Sequence, residues 1–99
     1  MTQTLDESKL TPEQRQINSI SKNFHMQLIE QELKALEIAE VNGKRVIRST
    51  VSGVVVFIEE SKGNWIFRPN KTWNQAALAK HPQWTEDDLE EQIQAFGFF

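Results

Sequence analysis

Apolar residues recur at Ile17, Ile20, Phe24 and Leu28 and continue through Ile29, Leu33 and Leu36, and these spacings trace one face of a 3.6-residue helix. Gln, Glu and Lys occupy the opposite face, so the segment reads as a surface helix laid across an apolar layer. Its start is marked at Thr11-Pro12-Glu13-Gln14. Thr is a good N-cap, Pro suits the first helical position, and Gln14 stands where a capping box requires it. The pattern predicts a long N-terminal helix from Pro12 to about Leu36. Residues 1–10 lack any such period and predict a disordered tail.

The period then changes. Asn42-Gly43 suits a type I′ turn, in which both central residues take positive φ, and so predicts a tight hairpin. Its second arm, Arg45 to Val51, is rich in β-branched residues. Its first arm, Glu37 to Val41, reads either as a strand or as the fraying end of the helix. Ser52-Gly53 marks a bulge in one long strand or a turn between two, ahead of the run Val54-Val55-Val56-Phe57-Ile58. Because successive strand residues point to opposite faces, that run predicts a central strand covered on both sides. Ser61-Lys62-Gly63-Asn64 is a turn cluster, and Trp65 to Arg68 reads as the returning strand, stopped at Pro69. Thr72 is placed to cap a helix from Trp73 to Lys80. Thr85-Glu86-Asp87-Asp88 is a capping box for a last helix whose packing stripe is Leu89, Ile93 and Phe96. The expected fold is α+β: the long N-terminal helix, a three- to four-stranded antiparallel β-meander, then two short C-terminal helices.

A chain of 99 residues with 38% hydrophobic content is the size of one domain, placed here at residues 11–99. The absence of cysteine excludes disulfides, thiolate nucleophiles and Cys-ligated metal centres. No apolar run approaches the roughly 18–20 residues that cross a bilayer, and the polar, acidic start lacks the features of a signal peptide. A cytoplasmic protein without membrane contact is the expectation. The net charge of −3 is unevenly distributed. Between Asn42 and Lys71 six bases face only Glu59 and Glu60, whereas from Thr72 onward Lys80 is outnumbered by Glu86, Asp87, Asp88, Glu90 and Glu91.

Candidate chemistry is sparse. His25 follows the helix-face Phe24 and has Leu28 and Ile29 at the helical spacings where a metal-ligand partner would stand. His81, before Pro82, suits a helix C-terminus, where an imidazolium meets free carbonyls. Glu59 and Glu60 are adjacent, so on a strand they point apart and cannot flank one bond. The glycines form no phosphate-cradling loop. The expectation is a non-enzymatic protein with no catalytic residues, no metal and no cofactor.

Two surfaces remain as candidates for binding. Phe96, Phe98 and Phe99 follow an acidic helix carrying Glu90 and Glu91, and aromatic anchors of this kind often dominate interface energy. They point to a protein-binding module, such as an adaptor, inhibitor, immunity-type or regulatory subunit. Its partner would be another protein of unknown identity, with the outer face of the N-terminal helix as a second contact and self-association through an uncovered sheet edge as a further property. The alternative is nucleic-acid binding through a basic sheet face made by Lys44, Arg45, Arg48, Arg68 and Lys71, with Trp65 and Phe67 as stacking platforms. The element order α-β-β-β-α is similar to that of double-stranded-RNA-binding domains. Arg68-Pro69-Asn70-Lys71-Thr72 nevertheless carries two cations and no lysine cluster. Gln75 to Ala79 also resembles the first helix of a helix-turn-helix, yet the helix that would enter the major groove begins Glu86-Asp87-Asp88 and would be repelled by phosphates. No family is assigned on these grounds.

Overall fold

The computed structural model describes residues 9–68 and 71–94. In chain order the elements are α1 (Pro12–Asn23), α2 (Glu30–Lys34), β1 (Leu36–Val41), β2 (Lys44–Ser49), β3 (Val55–Ser61), β4 (Asn64–Phe67), α3 (Gln75–Lys80) and α4 (Glu86–Gln94). The four strands form one antiparallel sheet in the order β1-β2-β3-β4. The fold is mixed α+β.

The single helix expected from Pro12 to Leu36 is not formed, although its start is as read. Gln14 N–H donates to Thr11 Oγ1 at 3.1 Å, and Thr11 N–H donates to Gln14 Oε1 at 3.0 Å. The helix stops at Asn23 because His25 adopts φ 59. His25 N–H then donates to Lys22 O, and Met26 N–H to Ser21 O, the two bonds of a Schellman stop, with histidine where glycine is usual. The apolar residues that kept the helical period are still buried, by other means. Leu28 lies in the link between α1 and α2, Leu33 in the short α2, and Leu36 opens β1. The arm left open between strand and helix is thus a strand, paired with β2 from Leu36↔Ser49 to Val41↔Lys44. Asn42 at φ 52 and Gly43 at φ 78 make the tight turn between them. Residues 1–8 of the expected tail lie outside the described residues. Leu10, also assigned to that tail, is a core residue only 5% exposed.

Ser52-Gly53 proves to belong to a turn between β2 and β3. Ser49 Oγ accepts from the N–H groups of both Val51 and Ser52 at 3.1 Å, Gly53 N–H returns to Ser49 O, and Gly53 sits at φ 79. A register shift between Ile47 and Arg48 then places Val55, Val56 and Phe57 opposite two residues of β2. The expected alternation fails there for a physical reason: a bulge adds one residue to its strand. Val54, Val56 and Phe57 consequently join the core beneath the helices, while Val55 and Ile58 face the other side. The apolar run does form a central strand buried on both faces.

The larger core gathers Leu10, Ile17, Ile20, Leu28, Leu33, Ile47, Phe57, Leu89 and Ile93, so helices from both ends of the chain share one side of the sheet. Phe57 is fully buried, with its ring centroid 5.1 Å from Phe24 and 5.6 Å from Phe67. On the second face Val46, Val55 and Ile58 are buried together with the partly buried Ala39, Val41, Ile66 and Trp73. The cap of α3 is Asn74, not Thr72 before Trp73. The chain first makes a turn closed by Asn74 N–H to Lys71 O, and the Asn74 side chain is directed to β3. Thr85 and Asp88 exchange the reciprocal bonds of the predicted capping box at 3.2 and 2.9 Å.

Candidate functional site

Strand register decides what the basic middle of the chain can do. The pairings Glu37↔Arg48, Ala39↔Val46, Val41↔Lys44 and Val46↔Ile58 put Lys44 and Arg48 on the second face. Phe57↔Phe67 and Glu59↔Trp65 put Trp65 and Phe67 on the helix side, where both pack against the larger core. The expected surface of cations interleaved with stacking aromatics is therefore not assembled, since residues an odd number apart point to opposite faces. Arg45 is the exception. Its guanidinium lies 5.5 Å from the Trp65 ring centroid.

Three of the five candidate cations are also engaged by carboxylates. Arg45 Nε donates to Glu59 Oε1 at 3.0 Å, while its Nη2 reaches Oε2. Glu59 accepts a further bond from Gly63 N–H at 3.2 Å. The Arg45 hydrogen bond, followed by the smaller contribution of Gly63, holds the Glu59 carboxyl below its ordinary range, and the same pair raises Arg45. Arg48 Nε donates to Glu37 Oε2 at 3.0 Å. Lys71 Nζ lies 2.8 Å from Glu86 Oε1, and that bond raises the lysine and lowers the glutamate. Lys44 and Arg68 are exposed.

At the acidic end, α4 buries Leu89 and Ile93 and turns Glu86, Asp87, Glu90 and Glu91 outward. Glu86 is held by Lys71, whereas Asp87, Glu90 and Glu91 make no ion pair among the described residues. Phe96, Phe98 and Phe99, the aromatic part of the expected surface, lie outside the described residues.

Among the described residues neither histidine joins a carboxylate constellation. His25 is exposed at the left-handed stop of α1. His81 ends α3, its N–H donating to Ala77 O and Leu78 O, and its ring stacks on Trp84 with centroids 3.9 Å apart. Its Nε2 is buried without a hydrogen-bond partner among the described residues. Among the described residues, no three His, Asp or Glu side chains converge as metal ligands would. Among them, too, no helix is long and apolar enough to cross a membrane.

One concavity escaped the sequence reading. Glu37 of β1, Arg48 and Ser49 of β2, Thr50 and Gly53 of the following turn, and Ala76, Ala77 and Lys80 of α3 line a cleft of about 300 Å³. Lys80 Nζ donates to Val51 O at 3.3 Å, which fastens α3 to the turn. No local motif announces this cleft, because its residues come from segments brought together only when α3 packs against the end of the sheet. Comparison of the chain with protein-family models, curated proteins and solved structures finds no match.

Proposed function

We propose that this protein is a non-enzymatic protein-binding module, an adaptor, inhibitor, immunity-type neutraliser or regulatory subunit, that meets its partner through the outer face of α4. The observation that carries the reading is the unneutralised row Asp87, Glu90 and Glu91 on a helix anchored from beneath by Leu89 and Ile93. Carboxylates fixed on a short, packed helix project a directional negative field without requiring the helix to be ordered on binding. Such a field accelerates encounter with a basic partner surface and selects against acidic ones. Phe96, Phe98 and Phe99 follow in sequence and would supply the apolar anchors, since charge at a rim contributes specificity more than affinity. The nucleic-acid reading is the weaker one, because Arg45 and Lys71 are held by carboxylates and the aromatics lie across the sheet from Lys44 and Arg48. Self-association through an outer strand, β1 or β4, belongs to the same reading.

The test is capture of partners from nuclease-treated lysate of the source cells and from an untreated control. Bait would be the full chain, a Glu90→Lys/Glu91→Lys variant, a chain lacking Phe98 and Phe99, and a Lys44→Glu/Arg45→Glu/Arg48→Glu variant, each first shown to be folded. Retention of a protein that survives nuclease and is lost with the α4 or phenylalanine changes supports the proposal. Capture that requires intact nucleic acid and the three cations, and that weakens steeply with log salt concentration, overturns it.

A further inference from the structure

We propose that the cleft between the β1–β2 ladder and α3 is a binding site for a small oxyanion, a carboxylate or a phosphate, held by Arg48 and Lys80. The inference is independent of the reading of α4. It begins from the shape of the cleft, whose lining includes the small side chains of Ser49, Ala76 and Ala77 together with Gly53. These leave open space where larger residues would close it, and about 300 Å³ lies at the lower end of the range for small-molecule sites.

Among the described residues the charged groups of the cleft are each tethered by one bond. Arg48 is fixed through Nε, which donates to Glu37 Oε2, while its Nη1 and Nη2 have no partner among the described residues. A guanidinium held at Nε presents its terminal nitrogens as a planar fork, the arrangement that meets two oxygens of one carboxylate or phosphate. Among the described residues Lys80 is held by one bond, from Nζ to Val51 O, which leaves two of its donors for a ligand. The wall carrying Val51 is itself braced by Ser49 Oγ and by the Gly53 to Ser49 backbone bond, so the position of the lysine is set by an ordered turn. Two cations against the single carboxylate of Glu37 leave the lining with a surplus positive charge. Glu37 acts here as a positioning residue. It orients Arg48 and, through its second oxygen, can accept a bond from a hydroxyl on the ligand.

The experiment is a titration of the ¹⁵N-labelled full chain with sodium phosphate and, separately, sodium acetate, at constant ionic strength maintained with chloride. Backbone amide shifts are followed for wild type, Lys80→Gln, Arg48→Lys and, as an exposed control, Lys44→Gln. The expected result is saturable shifts at Thr50, Gly53, Ala76, Ala77 and Lys80 with a Kd of order millimolar for at least one anion. Lys80→Gln and Arg48→Lys should each weaken binding at least about tenfold, the second while keeping the charge and losing only the fork, and Lys44→Gln should leave it unchanged. Saturation by phosphate alone or acetate alone assigns the class of oxyanion, and either supports the site. Absence of saturable shifts at these residues up to about 50 mM of both anions overturns it. So do shifts of equal size in Lys80→Gln and Arg48→Lys, or shifts spread over other basic residues.

Discussion

Replacing Asn74 with alanine removes one side chain that completes two backbone bonds. Asn74 is fully buried. Its Oδ1 accepts from Val55 N–H and its Nδ2 donates to Val55 O at 3.2 Å. The need arises from the sheet: β4 ends at Phe67, opposite Phe57, so no described strand residue stands opposite Val55 on that side of β3. An antiparallel ladder directs alternate residues to alternate neighbours, and Asn74 supplies Val55 with both partners that a strand residue would give. Leaving a buried backbone donor or acceptor unpaired costs about 1–3 kcal/mol each, so Asn74→Ala should lose about 2–6 kcal/mol, a large share of the roughly 5–15 kcal/mol of a small domain. Urea unfolding followed by far-UV circular dichroism measures this directly, provided the slope with denaturant stays that of wild type. Asn74→Asp sharpens the test. The introduced carboxylate would face the Val55 carbonyl in a buried site, which raises its folded-state pKa above the unfolded value. The variant should therefore be closest to wild type at acidic pH, where the carboxyl is protonated and can donate to Val55 O. The difference should widen as pH rises through the raised pKa. A loss below about 0.5 kcal/mol for Asn74→Ala would show that the two bonds do not hold this edge.

Other outcomes follow from the same geometry. His25→Gly should stabilise the protein by about 0.5–1 kcal/mol, because a left-handed residue with a Cβ is strained by about 1–2 kcal/mol and glycine gives back part of that relief as unfolded-state entropy; a lower melting temperature would contradict the stop described at φ 59. Leu10→Ala should lose about 2–5 kcal/mol as a core truncation, whereas a frayed residue would lose nothing measurable in the same urea assay. The Glu59 carboxyl should titrate below the ordinary glutamate range by NMR, and Arg45→Gln should return it toward that range. Since its folded pKa is lowered, the contribution of the pair is complete above the unfolded value and is lost as pH falls through the folded one.

The parts of the fold that were legible in the sequence are those whose causes lie within a few residues. Thr11 with Gln14, Thr85 with Asp88, and Asn42-Gly43 each act over a single turn, and each forms as read. The break after Asn23 was not legible, because Leu28, Leu33 and Leu36 preserve the helical period that they no longer obey. The pattern records which residues must be buried, and several backbone paths can bury them. A histidine in the position usual for glycine removed the one local sign of the stop.

The candidate surfaces divide in the same way. By itself the sequence determined that the chain is α+β, that β3 is buried on both faces, and that a basic middle precedes an acidic helix, since composition and period are properties of neighbouring positions. Only the tertiary structure decided that Lys44 and Arg48 lie across the sheet from Trp65 and Phe67, because face and pairing depend on register and one bulged residue changes both. The cleft belongs wholly to that second kind. Glu37, Arg48 and Lys80 share no local period, and they line one space because Asn74 and Lys80 fasten α3 to β3 and to the turn before it.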